Sequence, residues 1–351
     1  MLTQKIEKLI KQTEPKTKTL QFAMNIPTLG VRYSYSNTIP TQRFHSASVG
    51  KMMTSTLIFM AIEKGVLYID TQVHTILEAG LLDHLFVFDD CDYQGEVTVK
   101  HLLGHTSGVN DYFEGKTLDG SQFVVDVIKN PDKFWKPADL LDFTRTRQSA
   151  VAVSGKKFFY SDTGYILLGF IIEAVFKIPL HKVLDTLLFK PAGMEETSLC
   201  FYGEGFHQTS LAPLYINDVD VHLFKSLSCD FSGGGLSTTS EDLLKYLEHF
   251  YSGSFINQES IDQMTDFENR FQQGLYYGLG MMQVRFGEFF FLLKGLPKLQ
   301  GHLGVTGVHA WYDPGTKATI AMNVGNTKDM AMSFRLLISI VQIINKELLS
   351  A

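Results

Sequence analysis

Ser48 stands three residues ahead of Lys51 in RFHSASVGKMMTST (residues 43–56), and a long apolar run follows. Side chains three or four apart share one face of a helix. A helix that starts near Ser48 therefore brings a hydroxyl within reach of an amine. Unpaired N–H groups and the positive dipole end gather at a helix N-terminus, where they favour a developing oxyanion. A serine nucleophile needs that setting and a neighbouring base. A desolvated lysine can be the base, because burial disfavours the charged ammonium. The same pair also fits an ordinary N-cap serine and a lysine that snorkels out of the helix. A second S-x-x-K, Ser154 to Lys157, has no apolar helix behind it and reads as a polar turn.

Two further segments offer matching chemistry. Tyr160-Ser161-Asp162 precedes a strongly apolar stretch, so Tyr160 is expected at the mouth of a helix. A phenol beside a lysine can relay a proton. His302-Leu303-Gly304 is the only H-x-G in the chain, and its glycine lets a backbone approach closely on a strand. Other patterns fail on their own chemistry. His101 and His105 have the i, i+4 spacing of a zinc helix but no glutamate between them. DDCDYQGE has no glutamate at the twelfth position of a calcium loop, and SGGGLSTTSEDL lacks the G-K-[ST] of a phosphate loop. No metal and no cofactor is expected.

These residues need elements to hold them. The segment SVGKMMTSTLIFMAIEKG (residues 48–65) is apolar nearly all round, the mark of a buried helix, and Gly65 is its expected stop. An amphipathic helix is expected over residues 2–12 and a last helix over about 328–349. Extended segments are expected near residues 19–37 and from 276 onward: YYGLGMMQVRFG, EFFFLLKG, GVHAWYDPG and KATIAMNVGN, with D-P-G or P-G-T as a hairpin turn. The middle of the chain reads as helices and loops. The fold class predicted is α/β of the α+β type. An antiparallel sheet from both chain ends (residues 1–45 and 270–351) is flanked by helices, and a helix-rich region (46–269) carrying the nucleophile is inserted. The whole is one catalytic unit, with a site at the seam.

The 351 residues are 45% hydrophobic and 19% charged, with a formal charge of −6 and no basic stripe, which argues against a nucleic-acid partner. The longest apolar runs, such as LLISIVQII (336–344), are too short to span a bilayer. The first residues lack the apolar core of a signal peptide, and three scattered cysteines imply no disulfide framework. A cytoplasmic protein acting on a small molecule or peptide is the expectation.

The order S-x-x-K, Y-S-D, H-x-G resembles the serine β-lactamase and penicillin-binding protein superfamily, in the branch of class C β-lactamases, D-Ala-D-Ala carboxypeptidases and related esterases. FHSASVGKMMTST, VTVKHLLGHTSGV, FFYSDTGYILLGFIIE, LFKPAGMEETSL, SGGGLSTTSEDLLKYL and GHLGVTGVHAWYDP carry the likeness, over roughly residues 20–345. The resemblance implies a β-lactamase/transpeptidase-like fold and hydrolysis of an ester or amide through an acyl-enzyme. It implies Ser48 as nucleophile, Lys51 and Tyr160 as proton carriers, and the amides of Ser48 and Val305 as oxyanion donors. Asp162 stands where the pattern has asparagine, and His302 to Gly304 where it has K-T-G. A carboxylate at 162 can pair with Lys51. A neutral imidazole at 302 holds a substrate carboxylate less well than an ammonium does. Both departures argue against a dedicated β-lactamase. The alternative implied is a penicillin-binding sensor or scaffold with little or no turnover.

Overall fold

The computed structural model describes residues 2–39 and 41–349. Eight strands form its main sheet: β1 (Gln21–Ile26), β2 (Val31–Ser36), β3 (Asn269–Gln272), β4 (Leu275–Tyr277), β5 (Met282–Val284), β6 (Leu299–Gly304), β7 (Val308–Tyr312) and β8 (Thr319–Asn323). Their spatial order is β3-β4-β5-β6-β7-β8-β1-β2, antiparallel throughout. The two ends of the chain meet where β8 pairs with β1, Gln21 opposite Asn323.

Strand alternation divides the core. Phe22, Met24 and Ile26 of β1 and Ile320 and Met322 of β8 face the terminal helices α1 (Leu2–Thr13) and α5 (Met330–Leu348). Leu2, Ile6 and Ile10 meet them from α1, at the four-residue spacing of one helix face. The opposite face of the sheet carries Ala23, Ala310 and Ala321, from β1, β7 and β8. These short side chains let the helix-rich region lie close against the sheet.

That region centres on α2 (Lys51–Glu63) and α3 (Asp162–Phe176), with α4 (Ser240–Tyr251) lying against the sheet strands. Every side chain of α2 from Lys51 to Phe59 is buried, which accounts for its all-round apolar sequence. Gly65 takes the left-handed conformation at the end of α2, as expected (φ 69°). Among the described residues no single helix is long and apolar enough to cross a membrane.

One expected strand is absent. EFFFLLKG forms a short helix, Phe286–Phe289, and a 3-10 turn, Phe291–Leu293. The aromatic run satisfies strand composition, but β5 has already ended at Val284 and no partner edge continues beside it. A three-stranded sheet, Phe44–His45 with Leu236–Thr238 and Ser198–Leu199, was not foreseen; its strands are two or three residues long, below what periodicity registers.

Candidate active site

The turn that carries Ser48 is built from close backbone contacts. Ser48 lies in a 3-10 turn, Ala47–Gly50, that runs directly into α2, so it stands one turn before the α-helix proper. Ala47 has φ 46°, uncommon for a residue with a Cβ. Gly234 holds φ 142° beneath it, and a Cβ there would sit 2.1 Å from the Ala47 carbonyl oxygen. A Cβ on Gly304 of β6 would approach the Ala47 Cβ to 2.8 Å from the other side. The Ser46 hydroxyl donates to the Gly234 carbonyl at 2.5 Å. The turn is thus pinned between the S-G-G-G segment and the end of β6.

Lys51 is fully buried and its amine has three oxygen partners. It donates to Ser48 Oγ at 3.1 Å and to the Gly233 carbonyl at 2.6 Å, and it is paired with the Asp162 carboxylate. Nζ also faces two aromatic rings, 5.0 Å from the Tyr160 centroid and 5.3 Å from that of Tyr165.

Asp162 is placed by the start of α3. Ser161 is the N-cap; its hydroxyl accepts from the Gly164 N–H, and its own N–H donates to His105 Nδ1. The Asp162 N–H donates to Asp111 Oδ1 at 2.9 Å. The Asp111 carboxylate also accepts from the amides of Phe113 and Glu114, so one buried side chain ties two loops together. Burial, then the Asp162 charge, raises its pKa, while those amides act to lower it.

Tyr160 turns its hydroxyl oxygen inward, where it makes no hydrogen bond. Burial and then the Asp162 charge hold its pKa well above 10, against a lowering from the nearby Ser48 hydroxyl. It is therefore a protonated phenol at rest. His105 stacks on it with ring centroids 4.2 Å apart. Burial and then the Lys51 charge hold His105 well below the usual imidazole range, so it adds no positive charge.

A cavity of about 300 Å³ opens on this cluster. Ser48, Tyr160, Asp162 and Val305 line it, so four of the sequence-predicted residues share one wall space. Gly304 backs the nucleophile turn instead of facing the cavity. His302 lies deeper still, fully buried, with Nε2 3.4 Å from the Tyr277 hydroxyl. Burial and then the Lys51 charge push its pKa down to about 3, so it is neutral.

Four residues of the site, Gly233, Asp111, Asp230 and Glu114, are not among those expected from the sequence. Gly233 contributes only its carbonyl, although the run of three glycines marked a place of close backbone approach. Asp111 follows the HTSGV segment, and Asp230 precedes the strained Phe231 (φ 32°, ψ −120°). Glu114 and Asp230 add two carboxylates to the cavity wall. Burial and then the Asp162 charge raise Asp230 to about 7.

The arrangement agrees with a comparison of whole sequences. A family model described as Beta-lactamase matches residues 31–338. The chain belongs to the beta-lactamase family. Penicillin-binding protein 4* of Bacillus subtilis (strain 168) is 25% identical over 241 residues, 62% of this chain and 47% of that protein, so this beta-lactamase-family chain spans about half the length of that relative. Solved structures extend the likeness in fold. The D-amino acid amidase of Ochrobactrum anthropi SV3, in complex with L-phenylalanine amide, superposes with a TM-score of 0.81 at 21% identity, covering 99% of both chains. EstCE1, described as a hydrolase with promiscuous acyltransferase activity, superposes with a TM-score of 0.78 at 18% identity, covering 98% of both. At these identities the structures establish the shared fold, and this beta-lactamase-family chain has the antiparallel sheet and helical region expected from its sequence.

Proposed function

We propose that this protein is a serine acyl-hydrolase that cleaves small esters or amides through an acyl-enzyme. The fully buried Lys51 amine, 3.1 Å from Ser48 Oγ and held by Asp162 and Gly233, is the observation that carries this reading. Ser48 Oγ attacks the carbonyl carbon. Its proton passes to Lys51 as a Lys51 proton moves to the Asp162 carboxylate. The Ser48 and Val305 amides receive the oxyanion. Tyr160 gives its phenolic proton to the leaving alcohol or amine as the C–O or C–N bond breaks, and takes one back from Lys51. The Asp162 proton returns to Lys51; water then adds to the acyl carbon, one of its protons passes to Ser48 Oγ as the bond to Ser48 breaks, and the acid departs. The family membership and the amidase and esterase folds support this class of reaction.

A fluorophosphonate or a fluorescent penicillin is expected to label Ser48, found by mass spectrometry of the digested adduct. Label on Ser154, or on no serine, would remove the nucleophile from this scheme. Label at Ser48 without turnover of any ester or amide would favour the sensor reading.

The charge on the cavity predicts substrate preference. Glu114, Asp162 and Asp230 line it, and no Lys, Arg or His does among the described lining residues. Arg285, Lys294 and Lys298 are also outside it. A substrate carboxylate meets no cation on that wall, and the carboxylates of Glu114, Asp162 and Asp230 disfavour a further negative charge there. Short-chain neutral p-nitrophenyl esters are expected to exceed nitrocefin and an N-acylated D-Ala-D-Ala peptide in kcat/KM by about tenfold or more. Steady-state kinetics on the three substrates decide it, and a preference for nitrocefin would show the argument from charge to be wrong.

A further inference from the structure

We infer that the cavity reads a free ammonium beside the scissile carbonyl, with Asp230 and Glu114 as its specificity-determining carboxylates. The substrate class is then amides or esters of apolar amino acids with an unblocked amino group. The inference rests on the acyl-hydrolase reading of the same site and adds its substrate.

The cavity has two unlike parts. Phe113, Phe271, Phe334, Met282 and Met330 supply an apolar wall. Glu114, Asp162 and Asp230 supply an anionic one beside Ser48. Of these three, only Asp162 has a cation, the Lys51 amine. Among the described residues neither Glu114 nor Asp230 forms an ion pair with a lysine or arginine. The nearest candidate at Asp230 is His45, whose Nε2 lies 3.5 Å from Oδ2. That ring is buried and held down to about 4 by desolvation, so it is neutral, and Nε2 has no hydrogen-bond partner. The remaining neighbours of Asp230 add nothing positive except Lys51: Asp162 is an anion, and Cys229, Cys200 and Tyr112 are buried groups held protonated. Asp230 therefore sits in a cleft with no cation in contact, its ionised form disfavoured by burial and by the Asp162 charge, a few residues from the Gly233 carbonyl that positions Lys51. An ammonium is the group that resolves this imbalance, because it brings the missing charge and three donors. The apolar wall requires that it arrive on a molecule with a hydrocarbon or aromatic side chain. The acyl carbon and its α-ammonium are one atom apart, which matches a nucleophile and an anionic wall in the same cavity.

Phenylalanine amide, in both enantiomers, and N-acetylphenylalanine amide form the test, with ammonia release as the readout. The two differ in the charge on one nitrogen. The better enantiomer of the free amine is expected to exceed its acetylated form in kcat/KM by on the order of tenfold or more, the worth of a charge-assisted contact. Glu114→Gln and Asp230→Asn should each shrink that ratio, mainly through KM for the free amine, and Asp230→Glu should restore part of it. Glu114 is exposed, so its variant tests the inference even if Asp230→Asn fails to fold. A ratio near one in the wild type, or a ratio unmoved by Glu114→Gln, overturns the inference. If Ser48 is still labelled and p-nitrophenyl acetate still hydrolysed, the acyl-hydrolase reading stands without it. If neither occurs, both fall.

Discussion

Lys51→Ala and Tyr160→Phe are each expected to lower kcat by ~10²-fold or more, the usual range for a lost proton carrier. The double variant should be little worse than the poorer single one. Both residues border the same few atoms: Lys51 touches Ser48 Oγ, and its amine faces the Tyr160 ring. Burial keeps Tyr160 protonated, so the phenol can give a proton only if Lys51 can replace it. Losing either breaks the same circuit, and effects within one circuit do not multiply. Lys51→Ala carries a second cost. It strands the Asp162 carboxylate and the Gly233 carbonyl without their donor, so a fall in Tm accompanies the fall in rate. Kinetics on the two single variants and the double decide the matter: losses that multiply fully would mean that the two residues act in separate steps.

Gly234→Ala is expected to destabilise the protein by ~3 kcal/mol or more and to cost most of the activity. The new Cβ would lie 2.1 Å from the Ala47 carbonyl oxygen and 3.0 Å from the Ser48 Cα, both backbone. The nucleophile turn would have to move, and Ser48 with it. Gly30→Ala is the control. That glycine also has a left-handed φ, 61°, but open space around it, so only ~1–2 kcal/mol is expected. Thermal melts of the two variants separate conformational strain from collision. Equal losses would mean that the backbone of S-G-G-G does not press on the turn.

The contrast between these two sites also shows what the sequence could tell. Ser48 and Lys51 were legible because helical spacing is a local property, and their contact follows from three residues of chain. Tyr160 and Asp162 were legible through the apolar helix behind them, which fixes where its first residue must lie. The pairing of Asp162 with Lys51 could be expected from charge alone once that helix was placed. Gly233 was not legible, because a carbonyl acceptor has no residue type. Asp111 and Asp230 look like any loop aspartates until the fold brings them to Asp162. His302 shows the opposite limit: its motif marked the right strand end, but its side chain lies against Tyr277, away from the cavity, a matter of register that three letters do not carry. EFFFLLKG was read as strand because its composition is that of one, and composition does not say whether a neighbouring edge is available.

The seam between β1 and β8 bears on how the molecule comes into being. Gln21 and Asn323, 302 residues apart, are joined through their side chains and lie opposite each other in the sheet. During synthesis the β1–β2 hairpin emerges well before β8 and has one edge bare until that strand has left the ribosome. Contacts of such high sequence separation make folding slow, and an open strand edge is a template for pairing with another chain. The helix-rich middle has its own apolar core and can condense while the ends wait. Completion of the surroundings of Ser48 is therefore among the last events of folding, because Gly304 and Val305 lie on the side of the sheet that arrives late. A partly made chain exposes the Ser48 turn without the strand end that pins it, and the proposed activity is tied to delivery of β6 and the strands that follow it.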